Sequence, residues 1–387
     1  MNRGVATFTL DYGKCPPWLF ERMVKLGREM VRALIAEYGP DEFIKRISDP
    51  VWFQSLGTVL AFDWNASGLT TILTAALKEA IKGEEQTLGI FICGGKGKTS
   101  RKTPDEILKW GSRLALSDGS AENLVYNSKM TAKVDSALVQ DNYQIYHHAF
   151  FFSKNGAWSV VQQGMNTENQ TARRYHWFSE SAHDLIEEPH TGIAAQALEN
   201  RVLDLTSQKS DTTRDLSVEL VHGGYVSLMR DIQILRKHSS KLSRMISLAT
   251  QNGQLSLLEL ADTEFTSHPV EQEDFSKSKY LEKILSKITF EKPGSYESLL
   301  ATEGVGPKTV RALSLVGEVL YGAKPSYEDP ARYSFAHGGK DATPYPVDTE
   351  TYDKTIETMK RVVAKSRLSI DDKKKAEERL LKHELAF

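Results

Sequence analysis

The change in hydrophobic patterning along the chain limits its fold more than any other feature. Helical and extended patterns alternate up to about residue 200, and strand signals disappear beyond that point. An apolar run at 88–93 followed by two glycines predicts a buried strand that leads into a loop. An Asn-Gly pair at 155–156 between two aromatic-rich segments predicts a β-hairpin. The sequence therefore predicts an α/β or α+β amino-terminal domain followed by an all-α domain.

Apolar residues spaced three and four apart locate the helices. They predict an amphipathic helix over 18–38, entered through Pro16 and Pro17, and a second helix over 69–81. Polar residues at 263–279 predict an exposed connector. The expected domains are a catalytic domain at 1–200, a helical connector at 201–279 and a helical domain at 280–387.

The charge balance excludes a protein that binds nucleic acid through its whole surface. Basic and acidic residues number 49 and 51, which gives a net charge of −2, so any phosphate binding must be local. No apolar run reaches the roughly 20 residues of a membrane span, and the amino terminus lacks a secretory pattern. We therefore expect a cytoplasmic protein without a membrane segment, in which Cys15 and Cys93 are free thiols.

A glycine turn between two helical patterns is the strongest functional signal. Residues 295–301 predict a short helix, and Pro307 opens a second helix that runs to about 321. Gly304 and Gly306 would let the backbone approach a phosphate, which the amides at the following helix start would hold. Lys308 adds a charge next to Thr309. The turn is therefore predicted to bind the sugar-phosphate backbone, with DNA as the expected ligand and RNA as an alternative.

The string Gly-Val-Gly-Pro-Lys-Thr at 304–309 resembles the helix-hairpin-helix of DNA repair proteins, including base-excision glycosylases. That resemblance implies that Lys308 would be the nucleophile that attacks the sugar in a bifunctional glycosylase. It also implies a later aspartate that stabilises the cationic sugar. Asp329 lies at about the family's distance from the lysine, whereas Asp348 has the better local context at a helix start. The insertion at 337–341 departs from the family pattern.

A second glycine-rich and basic stretch follows the predicted strand at 88–93 and precedes a helix predicted from Pro104. Its amides and cations could cradle a phosphate, or the stretch could be a basic surface loop. The Walker spacing is absent, so no nucleotide cofactor is expected. The predicted DNA contacts of this domain are Gly94, Gly95, Lys96, Lys98 and Arg101, with the adjacent pair Arg173 and Arg174.

Carboxylates and histidines elsewhere in this domain suggest phosphodiester chemistry. Asp63, Asp135 and Asp141 are the predicted ligands of Mg²⁺ or Mn²⁺, since both metals prefer carboxylate oxygens. Lys133, His147 and His148 would then manage the proton or the scissile phosphate. None of these spacings is a metal signature, and the alternative for each histidine is a hydrogen-bonded structural role.

Seven short strings form a pattern that covers nearly the whole chain. They lie at 14–20, 62–64, 94–98, 147–148, 162–166, 172–177 and 337–341. Together they resemble a family of prokaryotic proteins catalogued as domain-of-unknown-function family 763. The resemblance implies no particular activity.

Three functions are consistent with these features. The leading hypothesis is a DNA-processing or repair enzyme, a metal-dependent and structure-specific nuclease that holds DNA through the helix-hairpin-helix. The second is a glycosylase and AP lyase that uses Lys308 with Asp348 or Asp329. The third is a DNA-binding protein without catalytic activity.

Overall fold

The structure is a computed structural model of the 387-residue chain. It describes residues 8–10, 15–60, 66–238, 246–249, 255–258, 279–331, 333–334 and 349–384. None of the described helices is long and apolar enough to cross a membrane. The helices are α1 (Pro17–Tyr38), α2 (Pro40–Ile47), α3 (Pro50–Val59), α4 (Ala66–Ala80), α5 (Glu85–Leu88), α6 (Thr103–Arg113), α7 (Asp118–Ala137), α8 (Asp211–His222), α9 (Tyr225–His238), α10 (Lys279–Glu291), α11 (Tyr296–Ala301), α12 (Pro307–Tyr321), α13 (Thr349–Lys365) and α14 (Ile370–Glu384).

The strands lie on both sides of residue 200. They are β1 (Ile90–Lys96), β2 (Val139–Gln140), β3 (Gln144–Ser153), β4 (Trp158–Asn166), β5 (Thr171–Phe178), β6 (His190–Ala195), β7 (Leu203–Asp204), β8 (Ile246–Ala249), β9 (Leu255–Leu258) and β10 (Tyr333–Ser334). The expectation that strands end near residue 200 is therefore wrong for β7, for β10 and for the antiparallel pair of β8 and β9. Short alternating Ser-Leu segments form that pair, and such a pattern is weak against a helical background.

The chain divides into two compact units. One comprises Met1–Val202 with Glu328–Phe387, and the other is Leu203–Tyr327. The first boundary lies close to the one expected at residue 200. The second differs from expectation, because the residues from Glu328 onward group with the first unit instead of with a domain at 280–387.

The first unit is built on an antiparallel sheet with helices on both faces. Strands β1, β3, β4, β5 and β6 are antiparallel neighbours in that order, and β10 adds a parallel strand beside β6. The α+β alternative therefore describes the fold better than a parallel α/β sheet. The hairpin of β3 and β4 confirms the prediction from Asn155 and Gly156, since Gly156 has the positive φ of +100° that such a turn requires.

Two layers of different character cover the sheet. Helices α1–α4, α13 and α14 contribute to one apolar core with Phe151 and Val161 of the sheet. Helix α7 packs against β3 and β4, and polar side chains face it there. Because side chains alternate along each strand, neighbouring residues such as His147 and His148 enter opposite layers.

The second unit is mostly helical. Helices α8–α12 pack together around buried residues such as Leu285, Leu299 and Leu313. Ser295 caps α11 through a capping box with Ser298, and Pro307 occupies the first turn of α12, which fixes both helix starts. The two helices predicted around residues 302–306 are therefore present at the expected positions.

Candidate functional site

The α11–α12 turn, residues 302–306, contains two glycines with different roles. Gly304 has a φ of +92°, and a Cβ atom there would lie 2.3 Å from Cδ1 of Ile284. Gly306 has extended backbone, with φ −155° and ψ −167°, and a Cβ atom there would meet nothing within 4 Å. Gly304 is thus required by backbone geometry and packing, whereas Gly306 leaves open space at the start of α12.

Helix α10 holds the carbonyl groups of the α11–α12 turn. The Tyr280 hydroxyl donates to the Gly304 oxygen at 3.2 Å, and Nζ of Lys287 donates to the Glu303 oxygen at 3.1 Å. Sequence patterns did not single out either residue, because both lie on a helix about 20 positions before the turn. These bonds fix the turn before any ligand arrives.

The start of α12 offers donors to an anion. No side chain from the described part of the chain caps the helix at Gly306. Pro307 has no N–H and the Val310 amide donates to the Gly306 oxygen at 3.1 Å, so the donors for an anion would be the amides of Lys308 and Thr309. Pro307 and Lys308 are exposed, whereas Thr309 as a whole residue is only 2% exposed. The geometry can bind one phosphate at the helix amides with Lys308 beside it.

Asp135 and His148, two of the predicted catalytic residues, belong to a buried chain of hydrogen bonds in the first unit. Ser128 pairs with Nε2 of His148 at 2.9 Å, and Nδ1 of that ring pairs with Oε1 of Gln162 at 3.0 Å. The Gln162 amide donates to Oδ2 of Asp135, and His190 binds the other oxygen of that carboxylate at 2.5 Å. The structure brings Asp135 and His148 together, as the nuclease hypothesis requires, but it joins them through Gln162.

His190 ends this chain near the surface. Asp135 is wholly buried, whereas the His190 side chain is 8% exposed. Asp135 also accepts from Nε1 of Trp177 at 3.1 Å, and no described residue bonds Nδ1 of His190. An imidazole oriented by a buried carboxylate can accept or give a proton through its other nitrogen. Sequence patterns do not predict that His190 pairs with Asp135, because the two residues are 55 positions apart.

A second buried cluster surrounds Arg173. Its guanidinium binds Asp141 at 3.0 Å and both oxygens of Asp329, at 2.9 and 2.7 Å. Tyr175 donates to Oδ2 of Asp141 at 2.6 Å, and the Tyr143 amide donates to Oδ1 at 3.0 Å. Burial raises the pKa of Asp141 to about 6, against the opposing charge of Arg173.

The opposite face of the sheet holds a buried cation. Arg174 donates from Nε to His176 at 2.8 Å and contacts the Gln54 amide oxygen at 3.3 Å, and no described carboxylate pairs with it. Burial lowers the pKa of Arg174 to about 9. His147, on the same face, is hydrogen-bonded to Thr74 at 3.2 Å. Burial, followed by the charges of His148 and Lys96, lowers the pKa of the His147 ring to about 3.

Several predicted roles need correction. Arg173 and Arg174 are fully buried and cannot contact a DNA backbone. Protein donors occupy both oxygens of Asp135 and of Asp141, which leaves neither carboxylate open to a divalent ion. Within the described ranges, no three His, Cys, Asp or Glu side chains are arranged to hold a metal. Asp63, the third predicted ligand, lies outside the described residues.

Of the two aspartates predicted as alternative partners of Lys308, the structure describes only Asp329. Both oxygens of Asp329 bind Arg173, and they accept further bonds from the amides of Glu199 and Ala331, so the side chain has a structural role in the first unit. Asp348 and the insertion at 337–341 lie outside the described residues. Lys133 is half-buried on α7.

The glycine-rich stretch at 94–98 is the end of an edge strand and not a loop. Gly94, Gly95 and Lys96 pair with Ala149, His148 and His147 of β3. The Gly94 amide donates to Glu106 at 2.8 Å, so that amide is not available to a phosphate. Lys96 is exposed at the end of the strand, and Lys98 and Arg101 are exposed in the 3-10 turn at Gly97–Lys102 that follows. These basic side chains can bind an anion there, whereas the Gly94 amide cannot because it is bonded to Glu106.

Buried neutral histidines predict a pH dependence of stability. The pKa of His147 is lowered to about 3 in the folded chain, so the unfolded chain binds an extra proton as the pH falls below about 6.5. The free energy of unfolding is therefore fully present above that pH and decreases by about 1.4 kcal/mol per pH unit for this ring. The variant His147→Gln should flatten the pH profile between pH 6 and pH 4, measured by urea unfolding. An unchanged slope would contradict a buried neutral ring.

The described elements define a mixed α/β protein, in which a helical unit accompanies a unit built on an antiparallel sheet. The family described as Protein of unknown function (DUF763) matches residues 4–347, and the chain belongs to that family. No curated protein and no solved structure matches the chain. The family predicted from the sequence is thereby confirmed, and its description supplies no activity.

Proposed function

We propose that this protein binds the sugar-phosphate backbone of DNA through the α11–α12 turn, as a helix-hairpin-helix. The observation that carries the proposal is the open start of α12, where Gly306 leaves space for a phosphate and no described side chain caps the helix. Lys308 is exposed beside that start. Backbone contacts of this kind position a protein on DNA without reading the sequence.

The local charge at the turn supports binding of one or two phosphates and not of a long DNA segment. Glu303 is 96% exposed on its side chain and lies 3.7 Å from Lys287, so part of the positive charge is already neutralised. Lys308 has no such partner among the described residues. We therefore expect moderate affinity with a shallow salt dependence, since each phosphate neutralised adds about one to the slope of log affinity against log salt.

Substitution of Lys308 separates backbone binding from covalent catalysis. As a phosphate contact, Lys308→Arg keeps the charge, so affinity for two unrelated duplexes should stay within about threefold, and Lys308→Ala should lower the salt slope by about one. As a nucleophile, the residue could not be replaced, since a guanidinium stays protonated. Fluorescence anisotropy titrations measure binding, and borohydride trapping on an abasic duplex measures covalent chemistry. An adduct formed by the intact protein but not by Lys308→Arg would replace this proposal with the glycosylase and lyase function.

A second candidate function is hydrolysis of phosphodiester bonds by the first unit. Asp135 orients His190, whose other nitrogen has no described partner, and this pairing is the arrangement of a general base. We assign Asp135 this orienting role in place of the predicted role as a metal ligand. Mg²⁺ or Mn²⁺ stays an expectation from the sequence, with neither Asp135 nor Asp141 among its ligands.

Cleavage assays on branched, bulged and abasic duplexes test this second function. With His190→Gln, cleavage should fall by about 100-fold or more, because a general base contributes on that order, while DNA binding stays unchanged. The matched control is His183→Gln, an exposed histidine of the same unit, which should cleave normally. Parallel reactions with EDTA show whether a metal is required. Full activity in His190→Gln, or no cleavage of any duplex by the intact protein, would leave DNA binding as the only activity.

A further inference from the structure

A cavity of about 650 Å³ lies in the first unit between α4, β1 and α6. Strand β1 forms the edge of the sheet, and its last three residues, Gly94, Gly95 and Lys96, line the cavity. Thr74 of α4 lines it and separates it from the buried His147 ring, which Thr74 binds at 3.2 Å. Cavities of this volume hold small organic ligands in many proteins.

The charged lining of the cavity is positive in excess. Two of its lysines are paired, Lys78 with Glu106 at 2.7 Å and Lys82 with Glu79 at 3.0 Å. Lys96, Lys109 and Arg113 form no ion pair with any described carboxylate. An anionic group in the cavity would therefore gain charge-assisted hydrogen bonds without displacing an existing pair. The charged residues that line the cavity are Lys78, Lys82, Lys96, Lys109 and Arg113, with Glu79, Glu85 and Glu106.

Apolar and aromatic groups form the rest of the wall. Phe20 and Ile92 line the cavity, and so does Trp110, whose ring has the Arg113 guanidinium 4.9 Å from its centre. The Trp110 ring also packs against Phe91 at 5.0 Å, which fixes its position. A ligand that fills this space needs a flat or apolar body of considerable size in addition to its negative charge.

We propose that the cavity binds a nucleoside phosphate, with the phosphate among Lys96, Lys109 and Arg113 and the base against the apolar wall. Inorganic phosphate or a sugar phosphate would leave the aromatic wall unused, and an uncharged nucleoside would leave the cations unpaired. The nucleoside phosphate is either a free nucleotide or the terminal nucleotide of a strand. The proposal concerns binding of the nucleotide, since residues 94–98 lack the Walker spacing that would indicate its hydrolysis.

This inference does not depend on DNA binding by the α11–α12 turn. The cavity residues all belong to the first unit, whereas the turn belongs to the second. The Gly306→Ile variant, which should lose duplex binding, is therefore expected to bind the nucleotide like the unaltered chain. The experiments can therefore show that duplex binding by the turn is wrong while nucleotide binding by the cavity holds, or the reverse.

Calorimetric titration of the full chain with dAMP, deoxyadenosine and inorganic phosphate tests the ligand class. We expect dAMP to bind at least about tenfold more tightly than either fragment, since it alone uses both the cations and the apolar wall.

Two variants change the cavity independently. Ala75→Trp places a large side chain into it from an exposed position on α4, and Lys109→Glu with Arg113→Glu reverses the charge on α6. Each should weaken dAMP binding by about tenfold or more.

The control for the charge reversal is Lys129→Glu, an exposed lysine on α7 that does not line the cavity, and it should bind dAMP normally.

A second titration distinguishes a free nucleotide from the terminal nucleotide of a strand. It compares a single-stranded oligonucleotide that carries a 5′-phosphate with the same oligonucleotide that carries a 5′-hydroxyl. Preference for the phosphorylated end assigns a strand terminus, and binding of dAMP alone assigns a free nucleotide. The proposal is overturned if neither dAMP nor the phosphorylated strand binds at millimolar concentration. Equal binding of inorganic phosphate, or dAMP binding unchanged in both cavity variants, would overturn it as well.

Discussion

The variant Arg173→Met should lose about 3–5 kcal/mol of folding free energy, because it leaves two buried carboxylates without their cation. Asp141 and Asp329 are 1% and 3% exposed on their side chains, and each is held by the guanidinium at 3.0 Å or less. Such a loss is a large part of the stability of an ordinary domain. Urea unfolding followed by tryptophan fluorescence measures it, since all six tryptophans of the sequence lie in the first unit.

The loss of folding free energy in Arg173→Met should become smaller as the pH falls. Burial raises the pKa of Asp141 to about 6 in the intact cluster, and removal of the cation can only raise it further. Protonation then neutralises the unpaired carboxyl groups, so Arg173→Met should be less destabilised at pH 5 than at pH 8. Arg101→Met, at an exposed arginine, should change stability by less than about 0.5 kcal/mol. A similar small change in Arg173→Met would show that the buried cluster does not stabilise the first unit.

The arginine pair also shows what sequence patterns can and cannot predict. Adjacent residues of a strand enter opposite layers, so Arg173 and Arg174 face different surroundings. The partner of Arg173 lies 156 residues away at Asp329, and nothing local to 172–177 indicates it. The sequence predicts a DNA contact for this pair because the partners that bury a charged residue of a strand can be remote in sequence.

Local signals predicted local structure well. The Asn-Gly turn, the proline-led helix starts at Pro17 and Pro307, and the buried strand near residue 90 all depend on neighbouring residues, and all are present. Strand β1 continues through Gly94 and Gly95 and ends at Lys96. The backbone of Gly94 lies so close to that of His148 that a Cβ atom on residue 94 would be 2.3 Å from the His148 carbonyl oxygen, so only glycine fits there. The sequence alone does not show whether such glycines belong to a strand or to a loop.

The two turn glycines illustrate the same limit at the candidate DNA-binding surface. Sequence reasoning gave both the same role, but Gly304 is required by its positive φ and by contact with Ile284, and Gly306 is required by neither. That difference makes Gly306 the sharper test of function. A side chain there can be accommodated by the fold, since its backbone is extended and its Cβ direction is open.

The variant Gly306→Ile should therefore fold normally and bind DNA at least about tenfold more weakly, because its side chain would occupy the space that a phosphate needs. Affinity should fall equally for unrelated sequences, since the contact is with the backbone. The matched control is Gly294→Ile, an exposed glycine of the same unit without positive φ and with nothing within 4 Å of its added Cβ. It should bind DNA like the intact chain.

Anisotropy titration of one labelled duplex with the intact chain, Gly306→Ile and Gly294→Ile at equal salt tests whether the α11–α12 turn binds DNA. Circular dichroism of each variant shows whether its helices are intact. The intact chain and Gly294→Ile should bind the duplex with the same moderate affinity, and only Gly306→Ile should bind more weakly. Equal binding by all three proteins would remove the α11–α12 turn from the DNA interface, and absence of binding by the intact chain would contradict the proposed function itself.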